Sequence, residues 1–453
     1  MRLNLLKKKD RLTFLFEEVD NAPLIVFRVI FGLLIFLESV GAIFTGWITK
    51  TLVEPEFTFN FIGLDFLQPL PGNGMYYYYA VMGAFGFLVM LGYRYRFSLS
   101  VFTIMWTATY LMQKASYNNH YYLLILVCGL MLLLPAHRYL SLDVKRNPSL
   151  KKLSMPRWVI ILIIIQLWIV YTYASVAKIY PDWLNTTAVE SLLASKINYP
   201  VIGEYMTNKT LHYFIAYVGI LFDLLVVPLL LFKPTRNLAL LASVVFHIFN
   251  AIVFQIGIFP FLSLGFIVFF YPPETIRRIF LKNKKPFIRK KDDVLHIPNK
   301  KNIYIALATV YFIIQIGLPL RHWVIEDDVL WTEEGHRMSW RMMLRTKSGY
   351  ISFKVVDKKT GKANYIRPRD FLSRKQAGMI TSKPDVIWQF AQRIKNQETE
   401  KGRDVAIYAI GKVRVNKGPL KTFIDPDTDL AAVKWNHFAH HEWILPSNPE
   451  EKN

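Results

Sequence analysis

The sequence predicts an all-α polytopic membrane domain of eight or nine transmembrane helices, followed by a strand-rich extracytoplasmic domain. Three observations carry this. Nine apolar runs lie between residues 23 and 320, most of them near the roughly 20 residues that cross a hydrocarbon core. Lysine and arginine are concentrated in alternate connecting segments. From residue 321 onward the long apolar runs give way to the two-residue alternation of strands.

In order, the runs fall at about residues 23–45, 75–93, 98–114, 120–137, 156–177, 211–232, 237–254, 258–272 and 302–320. The first follows a basic, partly acidic stretch that leads straight into a full-length span, so no cleavable signal peptide is expected. The second opens on Tyr76 to Tyr79, read as an interfacial aromatic belt. The fourth holds the single cysteine, Cys128, which excludes an intramolecular disulfide, a cysteine metal site and a redox dithiol. Any redox chemistry must come from a substrate or a bound cofactor. The eighth run is short and bracketed by Gly257, Pro260, Pro272 and Pro273, so it is either a tilted span or half of a re-entrant pair. That leaves eight or nine crossings. Residues 1–320 form the membrane domain and 321–453 the extracytoplasmic domain.

The chain is 53% hydrophobic and carries a net charge of +22 over 453 residues. The placement of the charge excludes nucleic acid as its reason, because no basic groove with interleaved aromatics is present. Lysines and arginines in residues 2–11, 93–97, 137–157, 233–236 and 275–301 total 25, against 5 in the short loops of the other side. This asymmetry puts the N-terminus in the cytoplasm and, for nine crossings, the C-terminal domain outside it: periplasmic, extracellular or in the endoplasmic reticulum lumen. The runs Lys7-Lys8-Lys9 and Lys282 to Lys291 read as topology signals that touch anionic lipid. Asn185-Thr186-Thr187 and Asn208-Lys209-Thr210 have the glycosylation pattern in an outer loop, but such triplets arise often by chance.

Beyond residue 321, Ile351 to Val356 and Ala406 to Val413 alternate as strands, with Lys359-Thr360-Gly361-Lys362 as a hairpin turn. Between them, Ile387, Phe390, Ala391 and Ile394 in the stretch Pro384 to Gln397 have helical spacing.

Ionisable side chains at membrane depth are costly and mark candidate sites. Lys178 ends the fifth run. It is either a lysine snorkelling to the interface or a desolvated amine able to act as a general base. His120 opens the fourth run behind Asn118-Asn119. It is either a hydrogen-bonded helix start with asparagine caps or a group that orients substrate and stabilises a developing anion. His247 lies halfway along the seventh run, with Asn250 one turn on. A buried structural hydrogen bond and a ligand contact are both open for it. For Asp223 and Arg28 the plain expectation is a mutual or lipid-headgroup pairing. His437, His440, His441 and Glu442 cluster near the C-terminus, but their spacing fits no standard ligand set and no metal is expected.

Several ordered words surround these residues: Asn118-Asn119-His120-Tyr121-Tyr122-Leu123, Ala177-Lys178-Ile179-Tyr180-Pro181-Asp182-Trp183, Phe246-His247, Ile256-Gly257-Ile258-Phe259-Pro260 and Ser339-Trp340-Arg341-Met342-Met343. With them the chain resembles the vitamin K-dependent gamma-carboxylase family and its broader HTTM-domain relatives, over nearly its whole length. The resemblance implies an enzyme that oxidises reduced vitamin K, a hydroquinone of phylloquinone or menaquinone type, with O2 to the epoxide. The strong base formed on the way then lets a peptide glutamate take up CO2. It further implies Lys178 as the base for the hydroquinone, His120 as support for the oxygenated quinone anion, and His247, Asn119, Asn250, Trp340, Met342 and Met343 as the quinone pocket. The expected partners are membrane lipid, a prenylated quinol, a glutamate-containing peptide or protein, and a separate quinone reductase.

The chain departs from the animal members in three ways. They have a longer C-terminal region for the substrate's propeptide. They have tyrosines where His336 and Met338 stand and an acid where Arg341 stands. They also have a disulfide that Cys128 alone cannot form. Two other readings stay open: a quinol epoxidase without peptide carboxylation, and a non-enzymatic quinone- or lipid-binding membrane protein.

Overall fold

The computed structural model describes residues 14–200, 202–288 and 297–448; the Lys7-Lys8-Lys9 run and the end of the Lys282 to Lys291 run lie outside the described residues. Helices stand at every predicted apolar run: α1 Ala22–Phe44, α2 Gly74–Leu91, α3 Tyr95–Met112, α4 Asn119–Leu133, α5 Trp158–Val176, α6 Lys209–Leu231, α7 Arg236–Phe249, α8 Phe259–Phe266, α9 Pro273–Phe280 and α10 Lys301–Leu320. Among the described residues six helices are long and apolar enough to cross a membrane, or seven if the pair α8–α9 counts as one span. The sequence expectation of eight or nine is thus not confirmed in its exact number. α3 carries Ser, Thr, Tyr and Arg96 among its apolar residues, and α4 is only 15 residues long. The eighth run bends by 118° at its proline pair, where Pro272 and Pro273 end one helix and start the next.

Arg28 on α1 shapes the base of the bundle. It is 1% exposed and donates to the carbonyls of Ala136 at 2.9 Å, Tyr139 at 3.0 Å and Leu140 at 2.5 Å. Those carbonyls belong to the loop that leaves α4, so one guanidinium satisfies a turn that has no helix or sheet of its own. Gly92 ends α2 at φ 64°, and a Cβ there would sit 2.5 Å from Ser141 Cβ, so only glycine lets that loop close over Arg28. The tyrosine stripe is not a uniform belt. Tyr77 faces outward, whereas Tyr79 is buried against Trp47, Tyr78 donates to the Met105 carbonyl and Tyr76 shares a hydrogen bond with Thr49.

The C-terminal region holds a four-stranded antiparallel sheet. With the short pair β1 Glu18–Asp20 and β2 Ser154–Pro156 numbered first, its strands are β3 Lys347–Asp357, β4 Ala363–Ile366, β5 Val405–Val415 and β6 Lys421–Thr422, in the order β4-β3-β5-β6. The expected hairpin turn joins β3 to β4, with Gly361 at φ 68°. α11, Pro384–Glu400, lays Ile387, Phe390, Ala391 and Ile394 on the sheet. The region is better described as strand-containing than strand-rich, since α11 and a shorter helix, Arg374–Ile380, share it.

The two halves exchange side chains. Phe59, from the loop after α1, is buried in the core of the C-terminal region, and Trp340 is buried in the core of the helical bundle.

Arg28→Ala would remove the donor of three loop carbonyls, that of Ala136 buried and those of Tyr139 and Leu140 partly so. Its expected cost is about 3 kcal/mol or more, read as a lowered thermal midpoint in detergent. A midpoint equal to wild type would show that these carbonyls find other partners.

Candidate functional site

Lys178 lies two residues past the end of α5, where the last helix carbonyls lack intrahelical partners. Its side chain folds back, so Nζ donates to the Ala174 carbonyl at 2.9 Å and to Asp223 Oδ2 on α6 at 2.6 Å. α5 and α6 are held together beside this pair by Ser175 Oγ donating to the Ile220 carbonyl at 3.0 Å. Pro181 then starts a short helix, Pro181–Leu184, that swings Trp183 over the ammonium at 5.7 Å. The indole N–H of Trp183 donates to the Ala216 carbonyl. Lys178 therefore does not snorkel: it is 8% exposed and salt-bridged. The expected pairing of Asp223 with Arg28 is overturned, because Asp223 belongs to Lys178 and Arg28 to loop carbonyls.

His120 is the second residue of α4, and Asn118 caps that helix by accepting from the Tyr121 N–H at 2.7 Å. The His120 ring stacks on Phe259 at 4.3 Å, and its Nδ1 is buried without a hydrogen-bond partner. Phe259 also meets the edge of His247 at 5.8 Å, so one phenyl ring separates the two imidazoles. It reaches this position because Gln255 and Gly257, at φ 51° and 63°, reverse the chain between α7 and α8. His247 shares a 3.0 Å hydrogen bond through Nε2 with the Tyr171 hydroxyl of α5, and its Nδ1 has no partner.

Lys178, Asp223, His120, Tyr171, Asn250, Phe259, Met342 and Met343 line a chamber of about 100 Å³. His247 stands behind Tyr171 rather than on the wall. Asn250 spends its amide N–H on the Phe246 carbonyl at 2.9 Å. A larger cleft of about 960 Å³ shares His120, Ile256, Met342 and Met343 with the chamber and runs outward past Glu38, Asn119, His336, Arg341 and Lys375.

The two methionines reach the chamber because the loop that bears them is pinned from below. The Met338 N–H donates to the Tyr117 hydroxyl at 2.5 Å, and that hydroxyl donates to Asn119 Oδ1 at 2.9 Å. Asn119 Nδ2 donates to the Arg341 carbonyl at 3.1 Å, and the Tyr180 hydroxyl donates to the Leu344 carbonyl. Met338, Trp340 and Met343 all have positive φ, a conformation these bonds enforce. Asn119 thus anchors the loop and lines the cleft, and Trp340 stacks on Tyr122 at 5.1 Å away from the chamber. Sequence reading passed over Tyr171, Tyr117 and Glu38. Only Glu38 carried a signal, as an acid inside an apolar run; it accepts from the Tyr121 hydroxyl at 2.7 Å.

Buried ion clusters dock the outer region above this loop. Asp385 at the start of α11 accepts from Lys114 at 2.5 Å and Arg337 at 2.6 Å, and Glu333 pairs with Arg345 and Lys383. The C-terminal histidines are similarly committed: His440 and His441 both bond to Glu334, at 2.7 and 2.9 Å, and His441 stacks on Trp435.

Residues 16–274 match the family model described as the HTTM domain, and residues 300–450 match that of the vitamin K-dependent gamma-carboxylase lumenal domain. No solved structure matches the chain.

The Asp385 cluster sets a pH dependence. Burial alone pushes this carboxyl up, but Arg337 and Lys114 outweigh it and hold the group well below the usual carboxylate range. A carboxyl depressed by folding contributes stability above its unfolded value of about 3.9, lost as pH falls through the folded value. The wild-type thermal midpoint is expected to fall steeply below about pH 4. Asp385→Asn should cost about 3–5 kcal/mol at pH 7 by leaving two cations unpaired, and should show a shallower acid slope. Equal slopes for the two proteins would remove Asp385 from this role.

Proposed function

Because the chain belongs to the vitamin K-dependent gamma-carboxylase family, we propose that its chamber deprotonates reduced vitamin K in a reaction coupled to glutamate carboxylation. The observation that carries this reading is the juxtaposition, on one chamber, of the Lys178–Asp223 pair with His120, whose Nδ1 has no partner. The residues suit a flat aromatic diol with an apolar tail. Phe246, Phe249, Phe254 and Phe259 supply apolar walls, and the polar groups converge on the face that carries Lys178. When bound, the hydroquinone supplies the O2-dependent oxidation to the epoxide and the strong base that frees a glutamate γ-carbon for CO2.

The chain's own part is positioning and proton handling. Once the Lys178 ammonium of the ion pair has released a proton to solvent, the amine accepts the proton of a quinol hydroxyl, and Asp223 balances the ammonium that re-forms. The Ala174 carbonyl keeps Nζ aimed while this happens. His120, whose ring orientation is fixed by the Phe259 stack, donates to the oxygen on which negative charge develops. Tyr171, oriented by His247, and Asn250, whose Oδ1 remains for a ligand, hold the ring in register. Met342 and Met343 close the roof and exclude water, which strengthens each of these interactions. Asn119 and Trp340 act through the loop that carries the methionines.

The apolar spans place the protein in a membrane as an integral protein. The lysine and arginine asymmetry supports an N-terminus in the cytoplasm and the C-terminal region on the opposite, lumenal or extracytoplasmic side. Bilayer lipid then delivers the prenylated quinol to the chamber, and a peptide glutamate enters from water by the large cleft. Cys128 stands alone and buried, so regeneration of the quinol falls to a separate quinone reductase.

The test is epoxide formation from vitamin K hydroquinone by purified protein in nanodiscs. Lys178→Ala is expected to lose at least about 100-fold in rate, with its thermal midpoint showing that it folds. Asp223→Asn should lose a comparable factor. Unchanged turnover in Lys178→Ala would remove the base. Labelled CO2 fixed into a glutamate peptide separates the carboxylase from an epoxidase without peptide carboxylation. Absence of epoxide with folded wild type would leave a quinone- or lipid-binding protein.

A further inference from the structure

The loop above the chamber carries a guanidinium with no direct carboxylate partner among the described residues; Asp328 acts on it only at longer range. Arg341 is half-buried; its NH1 donates to His322 Nε2 at 3.3 Å, and its Nε is buried without a partner. That His322 nitrogen can only accept, because Nδ1 already donates to the Pro319 carbonyl at 2.7 Å. Among the described residues no carboxylate lies within salt-bridge distance of Arg341. The nearby cations each have a carboxylate within reach: Lys114 and Arg337 share Asp385, and Arg345, Lys347 and Lys383 share Glu333. Asp328 lines the adjoining cleft of about 590 Å³ and spends one oxygen on the Leu330 N–H.

A partly desolvated cation without a counter-ion costs free energy that a bound anion recovers. The planar guanidinium matches the two oxygens of a carboxylate better than a point charge does. Position adds to the argument. Arg341 lines both the 590 and the 960 Å³ clefts, and its two chain neighbours, Met342 and Met343, roof the chamber that contains Lys178 and His120. Its backbone is fixed by Asn119, so the side chain is presented from a rigid point. Lys375, exposed on the wall of the larger cleft and bonded only to Ser116 Oγ, adds a second cation along the way in.

We infer that Arg341 is the carboxylate-recognising residue of this site, receiving the side-chain carboxylate of a glutamate-type substrate that enters by the large cleft. This rests on the functional reading above, and binding separates the two because it needs no turnover. The measurement is equilibrium binding of a fluorescent glutamate-containing peptide, and of its glutamine counterpart, to the full-length protein in nanodiscs. Wild type is expected to favour the glutamate peptide by about tenfold or more, with the preference falling as salt rises. Arg341→Gln should bring the ratio near one, and Arg341→Lys should restore part of it; thermal midpoints show whether each variant is folded. A wild-type ratio of one, no binding of either peptide, or an unchanged ratio in Arg341→Gln would overturn the inference. A glutamate preference without epoxide formation would sink the functional reading and leave Arg341 standing. Epoxide formation without the preference would do the reverse.

Discussion

Two opposite charges at membrane depth, Lys178 and Asp223, set the terms for the rest of the site. Taking either ion alone from water into an apolar interior costs several kcal/mol, and only good geometry with further hydrogen bonds offsets that. Here the 2.6 Å contact, the Ala174 carbonyl and the Trp183 ring supply the offset. The pair demands that the end of α5 stay in close contact with the middle of α6, and the Ser175 and Trp183 hydrogen bonds fix that approach. The two ions also leave the chamber close to electrically neutral while providing a group whose proton can move. An amine without its carboxylate would lack a counter-charge for the ammonium at the moment it forms.

The second constraint is the roof. A loop with three left-handed residues does not hold its shape alone, and this one borrows its order from the bundle beneath through Tyr117, Asn119 and Tyr180. The Asp385 and Glu333 clusters then hold the outer region in place over the loop. With Phe59 and Trp340 buried across the boundary, neither half completes its core alone. Chamber and cleft share His120, Ile256 and the methionine pair as walls. An apolar ligand from the bilayer and a polar one from water would approach this point from different sides.

Polar groups that resembled sites in isolation separate once their partners are known. His440 and His441 are committed to Glu334, and Arg28 is consumed by three carbonyls; both are explained by the need to satisfy buried polar atoms. His120 and His247 each keep a buried nitrogen with no protein partner. His120 does so on the chamber wall, and His247 directly behind it through Tyr171.

The sequence by itself determined where the helices form, that Lys178 and His120 sit at the ends of apolar runs, and that β3 and β5 alternate, because hydropathy and side-chain period are local properties. Its count of eight or nine spans is not confirmed at α3 and α4, where polar content and length fall short, and it read as strand-rich a region that helices share. Only the tertiary structure decided that Asp223, 45 residues away, belongs to Lys178, that Tyr171 orients His247, and that Phe259 stands between two histidines. It alone brought Met342 and Met343 over the chamber and left the Arg341 Nε buried without a partner. Such pairings depend on which helix faces meet and which loop folds back. Helix packing and long-range hydrogen bonds fix those, and neither leaves a periodic trace in the chain.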